Sequence, residues 1–116
     1  MEKNNSVFIK HILDSINAVE NFSKDISKQE FGGNRLVQSA VVREIEIIGE
    51  AVKNLSEEFK NKNKEIPWKE IIGTRDKMIH HYFGIDLEIV WEIIKFGLPE
   101  LKTQMLEIKK NIIKKD

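Results

Sequence analysis

The sequence predicts an all-α fold, an antiparallel bundle of four to five helices. Four long segments place apolar residues at intervals of three and four, and no stretch sustains strand-like alternation between turn signals. The segments are joined by short loops, which favours antiparallel neighbours. At 116 residues the chain suffices for one compact domain and not for two, so residues 1–116 are read as a single helical domain.

The first helix is expected from Asn4 to Ser23, with Phe8, Ile12, Ile16, Val19 and Phe22 on one stripe that Ile9 and Leu13 widen. Ser27 precedes Glu30 by three, the capping-box spacing, and Gly32 and Gly33 end this short connector. The second long helix begins near Asn34 and buries Leu36 or Val37, then Ala40, Val41, Ile47, Ile48, Ala51, Leu55 and Phe59. Gly49 interrupts that face, and a helical glycine costs about 1 kcal/mol relative to alanine, so another helix is expected to cross closely there. Lys60 to Lys64 reads as an exposed loop, and Pro67 as the first turn of a third helix. That helix carries Trp68, Ile71, Ile72, Met78 and Ile79 and stops at Gly84 with a left-handed cap. Asp86 is the N-cap of a fourth segment with Leu87, Val90, Trp91, Ile94, Leu98, Leu101, Met105, Ile108 and Ile112, kinked or broken at Gly97 and Pro99.

Composition bounds the function. Hydrophobic residues make up 41% and charged ones 33%, a balance that folds. The absence of cysteine removes disulfides and thiolate metal sites and fits a reducing compartment. With no signal peptide and no apolar run of about 20 residues, the expectation is a cytoplasmic protein without a membrane span. Nineteen basic residues against nineteen acidic ones exclude nucleic-acid binding through bulk charge, so any RNA contact must be local. Lys109, Lys110, Lys114 and Lys115 form a basic helix end, read as solvated.

The chemistry-bearing run is Arg75, Asp76, Lys77, Met78, Ile79, His80, His81, Tyr82. On a continuous helix Arg75 shares a stripe with Ile71, Ile72, Met78, Ile79 and Tyr82. Two readings of Arg75 stay open. It can lay its stem on apolar surface and reach an acid such as Glu44, Glu46 or Glu50, or it can offer a partly desolvated guanidinium to phosphate. His80 and His81 point about 100° apart on a helix, so they do not share a metal ion, and no metal or other cofactor is expected. A surface histidine near a helix C-terminus accounts equally for such a residue, and a core-edge aromatic accounts for Tyr82. His11 lies near the first apolar stripe and is given no role.

Arg75, four residues, His80, one residue and Tyr82 reproduce the arginine-x4-histidine-x-tyrosine motif, so the chain resembles the HepT-like proteins of the HEPN superfamily. The resemblance extends through IPWKEIIGTRDKMIHHYFGIDLEIVWEIIKFGLPELKTQM and through VVREIEIIGEAVKNLSEE, and Phe83, Gly84, Ile85 and Asp86 sharpen it. It implies a metal-independent endoribonuclease with Arg75 and His80 as active residues, and a homodimer that brings two motifs together. RNA supplies its own 2′-hydroxyl nucleophile, so cleavage requires a proton carrier and a cation for phosphorane charge. His80 would carry protons, since the unperturbed pKa of histidine is about 6.5, and Arg75 would hold the non-bridging oxygens.

The resemblance further implies a toxin paired with a nucleotidyltransferase antitoxin of the MNT type, which adenylylates Tyr82 and blocks RNA by bulk and charge. Asp76 stands where many relatives carry asparagine, and it and His81 are supporting candidates. The carboxylate opens an alternative, a catalytically weak helical binding module that serves as substrate and regulator of its partner. On a regular helix Arg75 and His80 are separated by about 140° and roughly 7.5 Å of rise. Either the helix is distorted near Gly84, or two subunits compose the site across a two-fold axis, the reading preferred here.

Overall fold

The computed structural model describes the backbone of residues 4–80 and 84–115 and the side chains of residues 4–79 and 84–111. Helices α1 (Asn5–Ser23) and α3 (Arg35–Asn54) lie antiparallel. Their direction is marked where Asn5, at the start of α1, exchanges two hydrogen bonds with Ser56, just past the end of α3. Between them Ile9, Ile12, Leu13, Ile16 and Val19 meet Val41, Val42, Ile45, Ile48, Ala51 and Val52, all buried. Phe22 falls at the edge of this stripe and is 39% exposed, and Val37 rather than Leu36 turns inward, Leu36 being 81% exposed.

The connector forms helix α2 (Lys28–Gly32), closed by the capping box that the spacing predicts. Ser27 Oγ accepts from the Glu30 amide at 3.0 Å while Glu30 Oε1 accepts from the Ser27 amide at 2.9 Å. These bonds, first from the Ser27 backbone and then from its side chain, lower the pKa of the Glu30 carboxyl. The buried Gln38 amide donates to the carbonyls of Phe31 and Gly32 at the end of this short helix. Asn34 caps α3 by accepting from the Val37 amide.

The second long helix does not run to Phe59. It ends at Asn54, because Ser56 caps a new helix, α4 (Glu57–Lys62), by accepting from the Phe59 amide at 3.1 Å. Most of the expected Lys60 to Lys64 loop is therefore helical. Trp68 ties its end down: indole Nε1 donates to the carbonyls of Lys60 and Asn63, and the Trp68 ring lies 6.0 Å from that of Phe59.

The third long helix is not formed either. In its place stand helices α5 (Trp68–Ile72) and α6 (Thr74–Met78), followed by strands β1 (Ile79–His80) and β2 (Gly84–Ile85). The strands pair antiparallel, Ile79 opposite Ile85 and His80 opposite Gly84. Gly84 has a φ of 77°, so the left-handed residue expected there exists but shapes a hairpin rather than a helix cap. The Met78 carbonyl, which a continuing helix would have used, accepts instead from the Asp86 amide at 2.7 Å.

Asp86 caps α7 (Leu87–Glu92) as expected, accepting from the Ile89 amide. A π-helical turn (Ile93–Gly97) then leads directly into α8 (Leu98–Lys115). At this turn the Leu98 amide reaches back to Ile93, and the wider spacing makes room for the ring of Pro99, which clashes with the preceding turn of an ordinary helix. The chain bulges there without breaking. Helix α8 runs antiparallel to α1, with Lys102 on Glu20 at 2.8 Å, while α7 meets α2 through Phe31 and Trp91. Ile94, Leu98, Leu101 and Met105 close the core from this side, and the Ile112 side chain lies outside the described residues.

Gly49 is crossed as its position predicts. An added Cβ would lie 3.7 Å from the Ile71 carbonyl and 3.9 Å from that of Ile72, which is ordinary contact. Gly49→Ala is therefore expected to stabilise the fold by somewhat under about 1 kcal/mol, the helix-propensity difference. Urea unfolding of the two proteins checks it, and a loss of stability would show that the α3–α5 approach is tighter than these distances.

Candidate functional site

Helix α6 exposes Arg75, Asp76 and Lys77 and buries Met78 completely. A five-residue helix is anchored by that one side chain, so the polar residues before it face outward by necessity. Arg75 lies against α3, where its Nε donates to Glu46 Oε2 at 2.7 Å. The pairing with a nearby acid that the spacing left open is thus realised. The two terminal nitrogens of Arg75 make no hydrogen bond among the described residues. Asp76 carries its carboxylate into solvent, and its amide donates to the Gly73 carbonyl.

The backbone of His80 lies in β1 opposite Gly84. The His80 side chain and the residues His81, Tyr82 and Phe83 lie outside the described residues. The backbone between Arg75 and His80 nevertheless corrects one expectation. Because the chain leaves the helix at Met78 and is extended at Ile79 (φ −113°, ψ 120°), helical azimuth and rise do not relate the two residues. A site shared between subunits therefore draws no support from that spacing, and the helical stripe expected to run on from Arg75 ends at Met78.

Arg75 also lines an open groove of about 400 Å³ between α3 and the α5–α6 segment. Its floor is apolar, from Ile47, Ile71 and Ile72, and its α3 wall carries Arg43, Glu46, Glu50 and Lys53. These four recur at intervals of three, four and three, one stripe about 15 Å long. Lys53 pairs with Glu50 at 3.2 Å and Arg75 with Glu46, while Arg43 has no ion pair among the described residues. Glu46 and Glu50 were among the acids the sequence offered to Arg75, but which of them it meets was not legible, since a partner on another helix has no sequence spacing. Among the described residues no three His, Cys, Asp or Glu side chains gather into a metal-binding cluster. Nor is any described helix long and apolar enough to cross a membrane.

The chain matches the family model described as ribonuclease HepT-like over residues 12–108. It is 44% identical over 114 residues to a Methanocaldococcus jannaschii protein named "Gamma-glutamylcyclotransferase and putative RNase", covering 98% of this chain and 51% of that protein. A "Putative RNase" of Caldanaerobacter subterraneus subsp. tengcongensis is 46% identical over 101 residues, covering 87% and 90%. A "Probable ribonuclease HepT" of Thermococcus cleftensis is 37% identical over 110 residues, covering 95% and 100%. The chain thus spans about half the length of the first relative and nine-tenths or more of the other two. No solved structure matches it.

The hairpin beside the motif depends on Gly84, where a side chain meets no steric obstacle but the positive φ is unfavourable. Gly84→Ala is expected to destabilise the protein by about 1–2 kcal/mol. Thermal unfolding measures this, and an unchanged midpoint would exclude a left-handed residue at that position.

Proposed function

Because the chain belongs to the HepT-like ribonuclease family, we propose that it is a metal-independent endoribonuclease, the toxin of a HepT/MNT toxin–antitoxin pair. The observation that carries this reading is that the family match encloses the complete pattern Arg75, His80 and Tyr82. In this mechanism His80 removes the proton of a ribose 2′-hydroxyl, and the 2′-oxygen attacks the adjacent phosphorus. Arg75 holds the non-bridging oxygens, on which charge grows as the phosphorane forms. The bond to the 5′-oxygen breaks, and that oxygen takes up a proton. The products are a 2′,3′-cyclic phosphate and a 5′-hydroxyl, with Asp76 and His81 in supporting roles.

Residues 1–116 act in this reading as one HepT-like domain in a cytoplasmic homodimer. Its partner is an MNT-type nucleotidyltransferase that transfers AMP to the Tyr82 hydroxyl. Each AMP brings a phosphate charge and an adenosine beside Arg75 and His80, which excludes RNA sterically and electrostatically. A second reading is favoured by the acids around Arg75: Glu46 on its Nε and the exposed carboxylate of Asp76 next to it in sequence. There the chain is a catalytically weak binding module, the substrate and regulator of the nucleotidyltransferase.

Purified protein whose intact mass shows no modification is expected to cut RNA in the presence of a metal chelator and to leave cyclic-phosphate ends. His80→Ala should slow cleavage by roughly 10²- to 10⁴-fold, the usual worth of a positioned proton carrier. Intact RNA after incubation with the unmodified protein would reject the nuclease and leave the binding module.

A further inference from the structure

Glu46 differs from the acids that pair with lysine in this chain. Among the described residues those carboxylates are 46–86% exposed, Glu50 of the same groove wall being 69%, whereas Glu46 is 34% exposed. Sheltering reduces screening, and the 2.7 Å contact to Arg75 has the length of a charge-assisted hydrogen bond. The contact is also single. A bidentate carboxylate would occupy Nε and one terminal nitrogen, but Glu46 engages Nε alone, and the end-on edge formed by both terminal nitrogens is left without a partner among the described residues. That edge presents two parallel N–H groups, a fork that donates to two oxygens of one phosphate.

The span from Glu46 to Arg75 is set by backbone. Glu46 stands three residues before Gly49, the position where the carbonyls of Ile71 and Ile72 approach α3, and Arg75 follows Ile72 by three. The close approach at Gly49 therefore fixes how far the arginine must reach. An exposed arginine without such a contact spreads over many rotamers and must be ordered when phosphate arrives.

We propose that Glu46 is a positioning residue, which holds Arg75 through Nε so that its two terminal nitrogens are presented as a fork to the scissile phosphate of RNA. This rests on the reading of Arg75 as the phosphate-binding residue. The carboxylate acts through Arg75 and does not touch the RNA. Since the fork is matched to the phosphorane, on which charge is greatest, losing the orientation lowers kcat more than it raises KM.

Steady-state cleavage of a single-stranded RNA oligonucleotide by the wild type, Glu46→Ala, Glu46→Gln and Arg75→Ala tests this. Glu46→Ala is expected to lower kcat by roughly 10- to 100-fold, the scale of a misaligned catalytic group, with KM changed less than about two-fold. Glu46→Gln keeps an oxygen acceptor for Nε and is expected to recover most of the lost rate. The thermal midpoint of both variants should stay near that of the wild type, because a partly exposed ion pair contributes little to stability. Activity of Glu46→Ala equal to or above the wild type, while Arg75→Ala is inactive, overturns the positioning role alone and makes Glu46 idle or a competitor of phosphate. Equal loss in both Glu46 variants with a lowered midpoint makes it merely structural. Full activity of Arg75→Ala, or no cleavage by the wild type, defeats the underlying reading of the site and this proposal with it.

Discussion

Where α1 and α3 run side by side, Ile12, Ile16, Val41 and Val52 are wholly removed from water, with Ile9, Val19 and Ile48 nearly so. Burying each such side chain is worth about 1.5–3 kcal/mol, whereas an exposed ion pair contributes about 0–1 kcal/mol. The seam therefore dictates the axis and rotation of α3, and the surface pairs follow. Once α3 is placed, its outward stripe of Arg43, Glu46, Glu50 and Lys53 is placed too, and the carbonyls of Ile71 and Ile72 come up to it at Gly49. The surroundings of Arg75 are a consequence of an apolar contact on the opposite face of α3.

The motif segment is held by few but well-buried anchors. Trp68 fixes its start by capping the end of α4, Met78 fixes its middle, and the Asp86 amide on the Met78 carbonyl fixes its exit into α7. Between these points the backbone changes from helix to strand. A residue pair that spans such a change is related by the local fold and not by helical periodicity, which is why the helical spacing of Arg75 and His80 says nothing about their relative placement.

Features of local chemistry were legible before the structure. The capping box of Ser27 and Glu30, the caps at Asn34 and Asp86, the left-handed Gly84 and the close crossing at Gly49 all appear where their sequence signals stand. Apolar spacing was a poorer guide to where helices stop. Phe59 continues the period of Leu55, yet Ser56 starts a new helix between them. Ile72, Met78 and Ile79 likewise fit one helix, yet the chain turns into a hairpin after Met78. A period of three to four residues reports which side chains are buried. It does not report whether the backbone between them is continuous.

The sequence by itself determined the all-α class, the core stripes of the first and last helices, and the motif that marks the family, because each depends on residues close together along the chain. The tertiary structure alone decided that the third helix breaks into two turns and a hairpin, that Pro99 is absorbed by a π-helical turn, and that Arg75 meets Glu46 through Nε. Those outcomes depend on which carbonyls and apolar surfaces neighbouring elements offer. Such offers exist only after α1 and α3 have packed, and no spacing within the chain encodes them.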